Sequence, residues 1–406
     1  MPATLNSETA EQLTDEQQRT TLLARIEALA PMLAANAVIA DENRKVPEES
    51  IRALVEAGFF RVTRPRAYGG FEVSSRTLFE VLAAVGRHCP SSAWVGALSN
   101  ASAWAISHFP EQAVTEIFGQ NPDALFCGAI TIGGRARKID GGFEVTGTWG
   151  FQSGSYYADW AMLGTPLMDE HDEVVDQVFV MIPRAELGWK DTWHVAGMRG
   201  TGSNTLSAEN VFVPEHRAMS LPGTLQHEFP QSFPDNAHFN MPLVPLFNVA
   251  LIAPQIGMAR GALDTVLTSL AKGKGIGHSY YKNASEVSFI QSQVAEAASL
   301  IDTAEALFHT ATEEIDRWSA SGLFMPIKER ARAKMAVDRA AVCARDAVDT
   351  LLNVGGASSF GTFNRLQMYW RDIETASRHA FISPAVAREA YGRTLLGISH
   401  MPTPFV

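Results

Sequence analysis

The chain has only three cysteines, Cys89, Cys127 and Cys343, too far apart to form a Cys-x-x-Cys pair. That scarcity excludes a disulfide framework and a cysteine metal site, and no metal is expected. As reduced thiols they behave as small apolar residues, which fits a cytoplasmic location. Positive charge is also short. Lys and Arg number 33 against 44 Asp and Glu, for a formal net charge of −11. An acidic surface disfavours nucleic acid and anionic membranes as partners. No stretch reaches the ~18 continuous apolar residues of a membrane helix. Met1 to Thr20 is polar and acidic, with no basic start before an apolar core, so it is not a signal peptide. These twenty residues are expected to form a flexible tail. There is no Walker lysine and no G-x-G-x-x-G between a strand and a helix, so no nicotinamide site of the usual kind. No internal repeat of fixed period stands out.

What is present supports a large buried core: 46% of residues are hydrophobic and 19% charged. Three regions differ in period. Residues 21–125 read as helical. Leu22, Leu23, Ile26, Leu29 and Leu33 recur at helical spacing. Val46-Pro47-Glu48-Glu49 announces a second helix that Gly58 can stop. Further helices are expected over Leu78 to Val85 and Trp94 to Ile106. Residues 126–225 change to strands. Phe143 to Gly147 alternates, Asp140-Gly141-Gly142 is a turn, and Leu206 to Val213 ends at Pro214. Val178 to Ile182 is a short apolar run, which favours a strand buried on both faces. Residues 226–406 return to long helices: Val249 to Leu270, Val287 to Trp318 and Ile327 to Val354, lengths that usually pack as a bundle. Pro222 to Pro242 carries four prolines and reads as a linker or a loop over a site. The fold class is therefore α+β. A crevice between the β module and the helices is the natural ligand site.

Three stretches could carry chemistry. Gly147 to Ser155 (GTWGFQSGS) takes a strand into a turn of small residues beside two aromatics. Small residues let a backbone approach a flat ring, although ordinary hairpins are built the same way. Trp193 to Asn204 (WHVAGMRGTGSN) offers Thr201 and Ser203 as hydroxyl donors, with Trp193 and Met198 as apolar cover. Tyr369 to His379 places His379 just beyond a helix ending near Ala376; its near-neutral pKa suits proton handling, but a lone histidine is more often structural. Arg371 and Asp372 could simply pair with each other. Gly355-Gly356 is a close-approach turn after a long helix.

In this order the stretches Gly147–Trp160, Trp193–Asn204 and Arg371–Pro384 resemble the acyl-CoA dehydrogenase superfamily, in its two-component flavin monooxygenase branch. The resemblance spans about Leu22 to Leu396. It implies an N-terminal helical domain, a central β-barrel-like domain and a C-terminal four-helix bundle, assembled as a homotetramer. It further implies that reduced flavin, FADH2 or FMNH2, acts with O2 through a flavin C4a-hydroperoxide, and that a separate NAD(P)H:flavin reductase supplies the flavin. In that frame Ser153 and His379 are the catalytic candidates. Trp149, Phe151, Ser153, Trp193, Thr201, Ser203, Gly355 and Gly356 are the flavin-binding candidates, the two glycines reaching a neighbour's flavin.

The resemblance also separates reaction types. Most dehydrogenases of the superfamily carry a glutamate base shortly after the Arg-Asp pair, where this chain has Ala380. Alanine cannot take a proton, which favours oxygenation. Phenol hydroxylases of the branch carry a histidine where Ser102 stands, beside Asn100; a substrate-contacting serine falls near Gly128, and Tyr157 replaces a histidine. Those departures point away from simple phenols and toward an indole-type or fused aromatic ring. Asn100, Ser102, Trp104, Phe126 and Tyr157 are the substrate-binding candidates, and Trp94 and Phe109 are further stacking walls. An amino-sugar N-oxygenase of the same branch and an acyl-CoA dehydrogenase are the alternatives.

Overall fold

The computed structural model describes residues 13–406 apart from 232 and 234. Its first helix, α1 (Asp15–Asn43), begins inside the stretch expected to be a tail. The cause is a reciprocal cap. The Thr14 hydroxyl accepts from the Gln17 N–H, and the Gln17 side chain accepts from the Thr14 N–H. Asp15 then ties the helix to the next layer, accepting from the N–H and hydroxyl of Ser74 at 2.8 Å and from the Thr77 hydroxyl at 2.7 Å. Residues 1–12 of the expected tail lie outside the described residues.

Four helices follow: α2 (Glu48–Glu56), α3 (Ser75–His88), α4 (Pro90–Ile106) and α5 (Glu111–Gln120). Pro90 starts α4 at a position that needs no N–H. All of α4 is buried, which is why its sequence shows no polar stripe. Among the described residues eight strands form one mixed sheet: β1 (Phe126–Ile132), β2 (Arg135–Ile139), β3 (Gly142–Gln152), β4 (Trp160–Met168), β5 (Val174–Pro183), β6 (Gly188–Lys190), β7 (Asn204–Pro214) and β8 (Ala218–Ser220). Their hydrogen-bonded order is β6-β7-β3-β2-β4-β5-β8, with β1 parallel to β4. Among the described residues no pairing of β6 with β8 closes this path into a barrel.

The sheet has two buried faces. Val145, Leu163, Val180 and Leu206 fill its own core, while Met162, Phe179 and Met181 join the helical core. Strand β5 contributes to both, with Val178, Val180 and Ile182 on one side and Phe179 and Met181 on the other.

The short α6 (Leu221–Leu225) leads to α7 (Leu243–Leu270), α8 (Ser288–Ala320), α9 (Ile327–Gly355), α10 (Arg365–Ala376) and α11 (Pro384–Leu395). Helices α7 to α10 pack as a four-helix bundle, and α3 and α4 lie against α7. By length and hydropathy α1 and α7 would each suffice to cross a membrane, but 94% of the most apolar window of α7 is buried inside the fold. Helix α1 lays Leu22, Ile26, Ala30 and Leu33 on the core along one face. A single apolar cluster thus runs through both helical regions, and the sheet is set against it.

Candidate functional site

Strand β3 ends in an irregular turn. Its register with β7 shifts between Trp149 and Gln152, and Phe151 sits at φ 60°, a conformation uncommon outside glycine. The distortion turns the Phe151 ring outward, 67% exposed and edge-on to Trp193 at 5.7 Å. Trp149 goes the other way. Its indole N–H donates to the Gly164 carbonyl at 2.8 Å and its ring is buried in the sheet core. Past Ser153 the chain turns at Gly154, with φ 77°. A Cβ there would lie 2.9 Å from Val95 of α4, so glycine permits both the turn and the contact.

The second turn, between β6 and β7, meets the first. Asn204 accepts from the N–H groups of Thr192 and Trp193 and fixes the turn's start. Met198 has φ 55°; its carbonyl accepts from the Trp193 indole at 2.9 Å and from the Thr201 hydroxyl at 2.8 Å. Gly197 lies flush on α10, where a Cβ would come within 1.8 Å of the Arg371 carbonyl. The hydroxyls then line up: Thr201 to Ser203 at 2.7 Å, and Ser203 to Ser153 at 2.7 Å, all three nearly buried. Sequence alone could pick out these three, but not that they touch.

Arg371 and Asp372 do not pair with each other. Successive residues on a helix point in different directions. Arg371 binds Asp41 at 2.8 Å and the Ala196 carbonyl. Asp372 turns inward and accepts the Met198 N–H at 2.5 Å. Burial pushes its carboxyl up to about 7, against the pull of that N–H and of Arg371.

His379 lies just beyond α10, edge-on to Trp94 of α4 at 5.7 Å. Trp94 and Val95 are adjacent, so His379 and the Ser153–Gly154 turn both pack against the same turn of α4. Burial pushes the imidazole down to about 4, so it is neutral at physiological pH. The Phe381 N–H donates to Nδ1 at 3.3 Å, which places the ring proton on Nε2. The loop is pinned from α9: Lys334 Nζ donates to the Phe381 carbonyl at 2.6 Å, and Asp338 accepts from the Ser383 N–H at 3.2 Å. Neither residue was marked by the sequence, because a Lys-x-x-x-Asp pair on a helix is ordinarily a solvated one. Ala380 is exposed, and the nearby Glu374 carboxylate is taken up by Arg378.

The substrate candidates divide. Ser102 faces Gly128 across the α4–β1 packing, where a Gly128 Cβ would sit 3.4 Å from its hydroxyl. Asn100 is committed elsewhere, its amide donating to the Phe59 and Gly96 carbonyls at 2.9 Å each. The Trp104 indole donates to the His238 carbonyl, and Phe126 packs edge-on to Phe118 beneath Arg64, so both are core pieces. Phe109 is wholly buried. Tyr157 donates to the Val46 carbonyl under Lys45, and burial raises its phenol above the ordinary range. Gly355 and Gly356 close α9; Gly355 packs against Ser359, and neither is brought to the Ser153 turn within the chain.

These residues fit a planar ring with one polar edge. Exposed Phe151 and half-buried Trp193 offer an apolar flank, and the three buried hydroxyls come from the same two turns. Gln152, wholly buried beside Ser153, has a side-chain oxygen with no hydrogen-bond partner, ready for a ligand donor.

Residues 14–118 match the family model described as acyl-CoA dehydrogenase, N-terminal domain, and residues 249–384 match that of the C-terminal domain. The oxygenase subunit HsaA of a flavin-dependent monooxygenase from Rhodococcus jostii (strain RHA1) is 31% identical over 93% of this chain and 98% of its own length. The oxygenase component of an FADH(2)-dependent resorcinol hydroxylase from Rhizobium sp. (strain MTP-10005) is 30% identical over 93% of this chain and 94% of its own. The solved structure of XiaF from Streptomyces sp. in complex with FADH2 and glycerol superposes with a TM-score of 0.89 at 30% identity, covering 95% of this chain and 97% of that one.

Proposed function

The chain belongs to the acyl-CoA dehydrogenase family, and from that membership we propose that it is the oxygenase component of a two-component flavin-dependent monooxygenase that hydroxylates an aromatic substrate. One observation carries the reading: hydroxyl and neutral imidazole groups flank the start of α4, and the position after α10 where a dehydrogenase would keep its base is Ala380. When bound, reduced flavin supplies two electrons and activates dioxygen, so that one oxygen atom enters the substrate and the other leaves as water.

The chain's own residues would do the rest. Phe151 and Trp193 flank the ring, and Ser153, backed by Ser203 and Thr201, meets its polar edge. His379, neutral and protonated on Nε2, would offer a hydrogen-bond donor without carrying charge. Ser102 and Gly128, small residues facing each other, stand where the phenol hydroxylases of the branch carry larger polar ones, which favours a fused ring over a simple phenol. The sequence lacks a nicotinamide fingerprint, which supports a separate reductase as the source of FADH2 or FMNH2. Exposed Phe363 and Leu396 supply apolar surface for assembly with further copies, in keeping with a homotetramer. The buried free thiols suit a cytoplasmic setting.

The test is to mix the protein with anaerobically reduced FAD or FMN, indole and isotopically labelled dioxygen. Label in the organic product is expected. Absence of label from every aromatic tried, with reduction of bound oxidised flavin by an acyl-CoA, would replace this reading with a dehydrogenase.

A further inference from the structure

We infer that Thr201 and Ser203 are positioning residues that fix the direction of the Ser153 hydroxyl proton, so that Ser153 meets a bound flavin as a hydrogen-bond acceptor and the site selects the reduced ring over the oxidised one. The inference deepens the proposed function and rests on it.

The argument is a proton count. Each hydroxyl has one hydrogen and two lone pairs. The Thr201 hydroxyl lies 2.8 Å from the Met198 carbonyl, and a carbonyl can only accept, so the Thr201 hydrogen is spent there. The 2.7 Å contact between Thr201 and Ser203 then needs the Ser203 hydrogen. With that hydrogen used, the 2.7 Å contact between Ser203 and Ser153 needs the hydrogen of Ser153. The row is polarised inward, from Ser153 through Ser203 and Thr201 to the Met198 carbonyl. Ser153 is left with lone pairs for anything outside the chain.

The anchor of this row is itself held. Met198 is kept at φ 55° by its N–H bond to Asp372, and its carbonyl also takes the Trp193 indole. The carbonyl therefore cannot rotate to release the Thr201 hydrogen without breaking three contacts. Gly154 and Thr201 are joined in addition by a backbone bond of 2.9 Å, which keeps the Ser153 turn in register with the row.

Oxidised flavin presents a bare lone pair at N5 of its central ring, the other ring nitrogen being alkylated in both redox states. The reduced ring presents N–H there. An acceptor-only hydroxyl repels the first and bonds the second. A site built this way takes up reduced flavin from solution and releases it once oxidised, as an enzyme without its own reductase requires.

The experiment measures dissociation constants for oxidised and dithionite-reduced FAD and FMN, under anaerobic conditions, for the wild type and for Ser203→Ala, Thr201→Val and Thr201→Ser. In Ser203→Ala and Thr201→Val the Ser153 hydrogen is free to turn outward. The preference for reduced flavin should then fall roughly tenfold, about the upper range of one neutral hydrogen bond, through tighter binding of the oxidised form. Thr201→Ser keeps the row and should restore the wild-type ratio. Equal weakening of both forms would show loosened structure only and overturn the inference, as would an unchanged ratio. If the wild type binds neither form, the proposed function falls along with it; if it binds reduced flavin and the ratio does not move, only the row is refuted.

Discussion

Asp372 on α10 holds the backbone N–H of Met198, 174 residues earlier, at 2.5 Å. This bond joins the bundle to the turn that carries Thr201 and Ser203. Asp372→Ala leaves that N–H buried without a partner and should cost about 1–3 kcal/mol of stability. Asp372→Asn keeps an oxygen in place and should cost less. Urea unfolding of both variants checks the order; equal losses would mean that the bond is not what the carboxylate supplies.

The same residue gives the stability a pH dependence. Burial lifts the Asp372 carboxyl to about 7, well above its unfolded range. Between those two values the native state binds more protons than the unfolded chain, so the contribution of Asp372 falls as pH rises through that window. From about pH 5 to about pH 8 the wild type should lose stability relative to Asp372→Asn, a difference that cancels the other titrating groups. Parallel curves would show that Asp372 does not titrate there.

His379 should give no inflection near the usual histidine pKa. Burial holds it at about 4, so lowering the pH from 8 to 5 leaves it neutral. His379→Ala should lower product formation by about 10²-fold or more, the scale of a lost proton-handling group, with flavin affinity changed far less. Product per oxygen consumed, measured against pH, is the readout; unaltered coupling would remove His379 from the reaction.

Lys334 and Asp338 are a buried ion pair at 3.4 Å whose other bonds fix the His379 loop. Removing one partner leaves an uncompensated charge, so Lys334→Met should cost about 3–5 kcal/mol. The double variant with Asp338→Leu should recover most of that stability but not the loop's anchorage. Thermal melts and proteolysis within residues 379–383 separate the two effects; a double variant as unstable as the single one would contradict the pairing.

How far the sequence could be read depended on the range of the interaction. The helical periods of α1 and the strand alternation of β3 are local and were legible, as was the stop at Gly58, where φ is 84°. The start of α1 was also encoded locally, in Thr14 and Gln17, yet its polar composition resembles a tail. Trp149 and Phe151 share one strand face by simple alternation, but the bulge between them sends one ring into the core and the other into solvent. The three hydroxyls were visible as residue types; their contact depends on two turns 50 residues apart meeting. Asn100 and Trp104 showed as polar and aromatic features of α4, while their backbone partners, Phe59 and His238, are set by tertiary packing alone.

Gly128 sets the remaining test, that of substrate size. A Cβ at this position would lie 2.7 Å from the Met162 carbonyl and 3.2 Å from the Met162 Cβ. The obstacle is the backbone of β4, which is paired on both sides and cannot yield as a side-chain tip could. Gly128→Ala should therefore overpack the α4–β1 junction and cost about 1–3 kcal/mol. Its Cβ would also approach Ser102, the other residue assigned to the substrate wall. If the two bound the substrate space, a fused-ring substrate such as indole should lose more of its kcat/KM than a single-ring phenol. Ser102→His should shift the preference the same way by filling the space from α4. Equal losses for both ring sizes, at temperatures where each variant stays folded, would place the substrate elsewhere and leave Ser102 and Gly128 as packing alone.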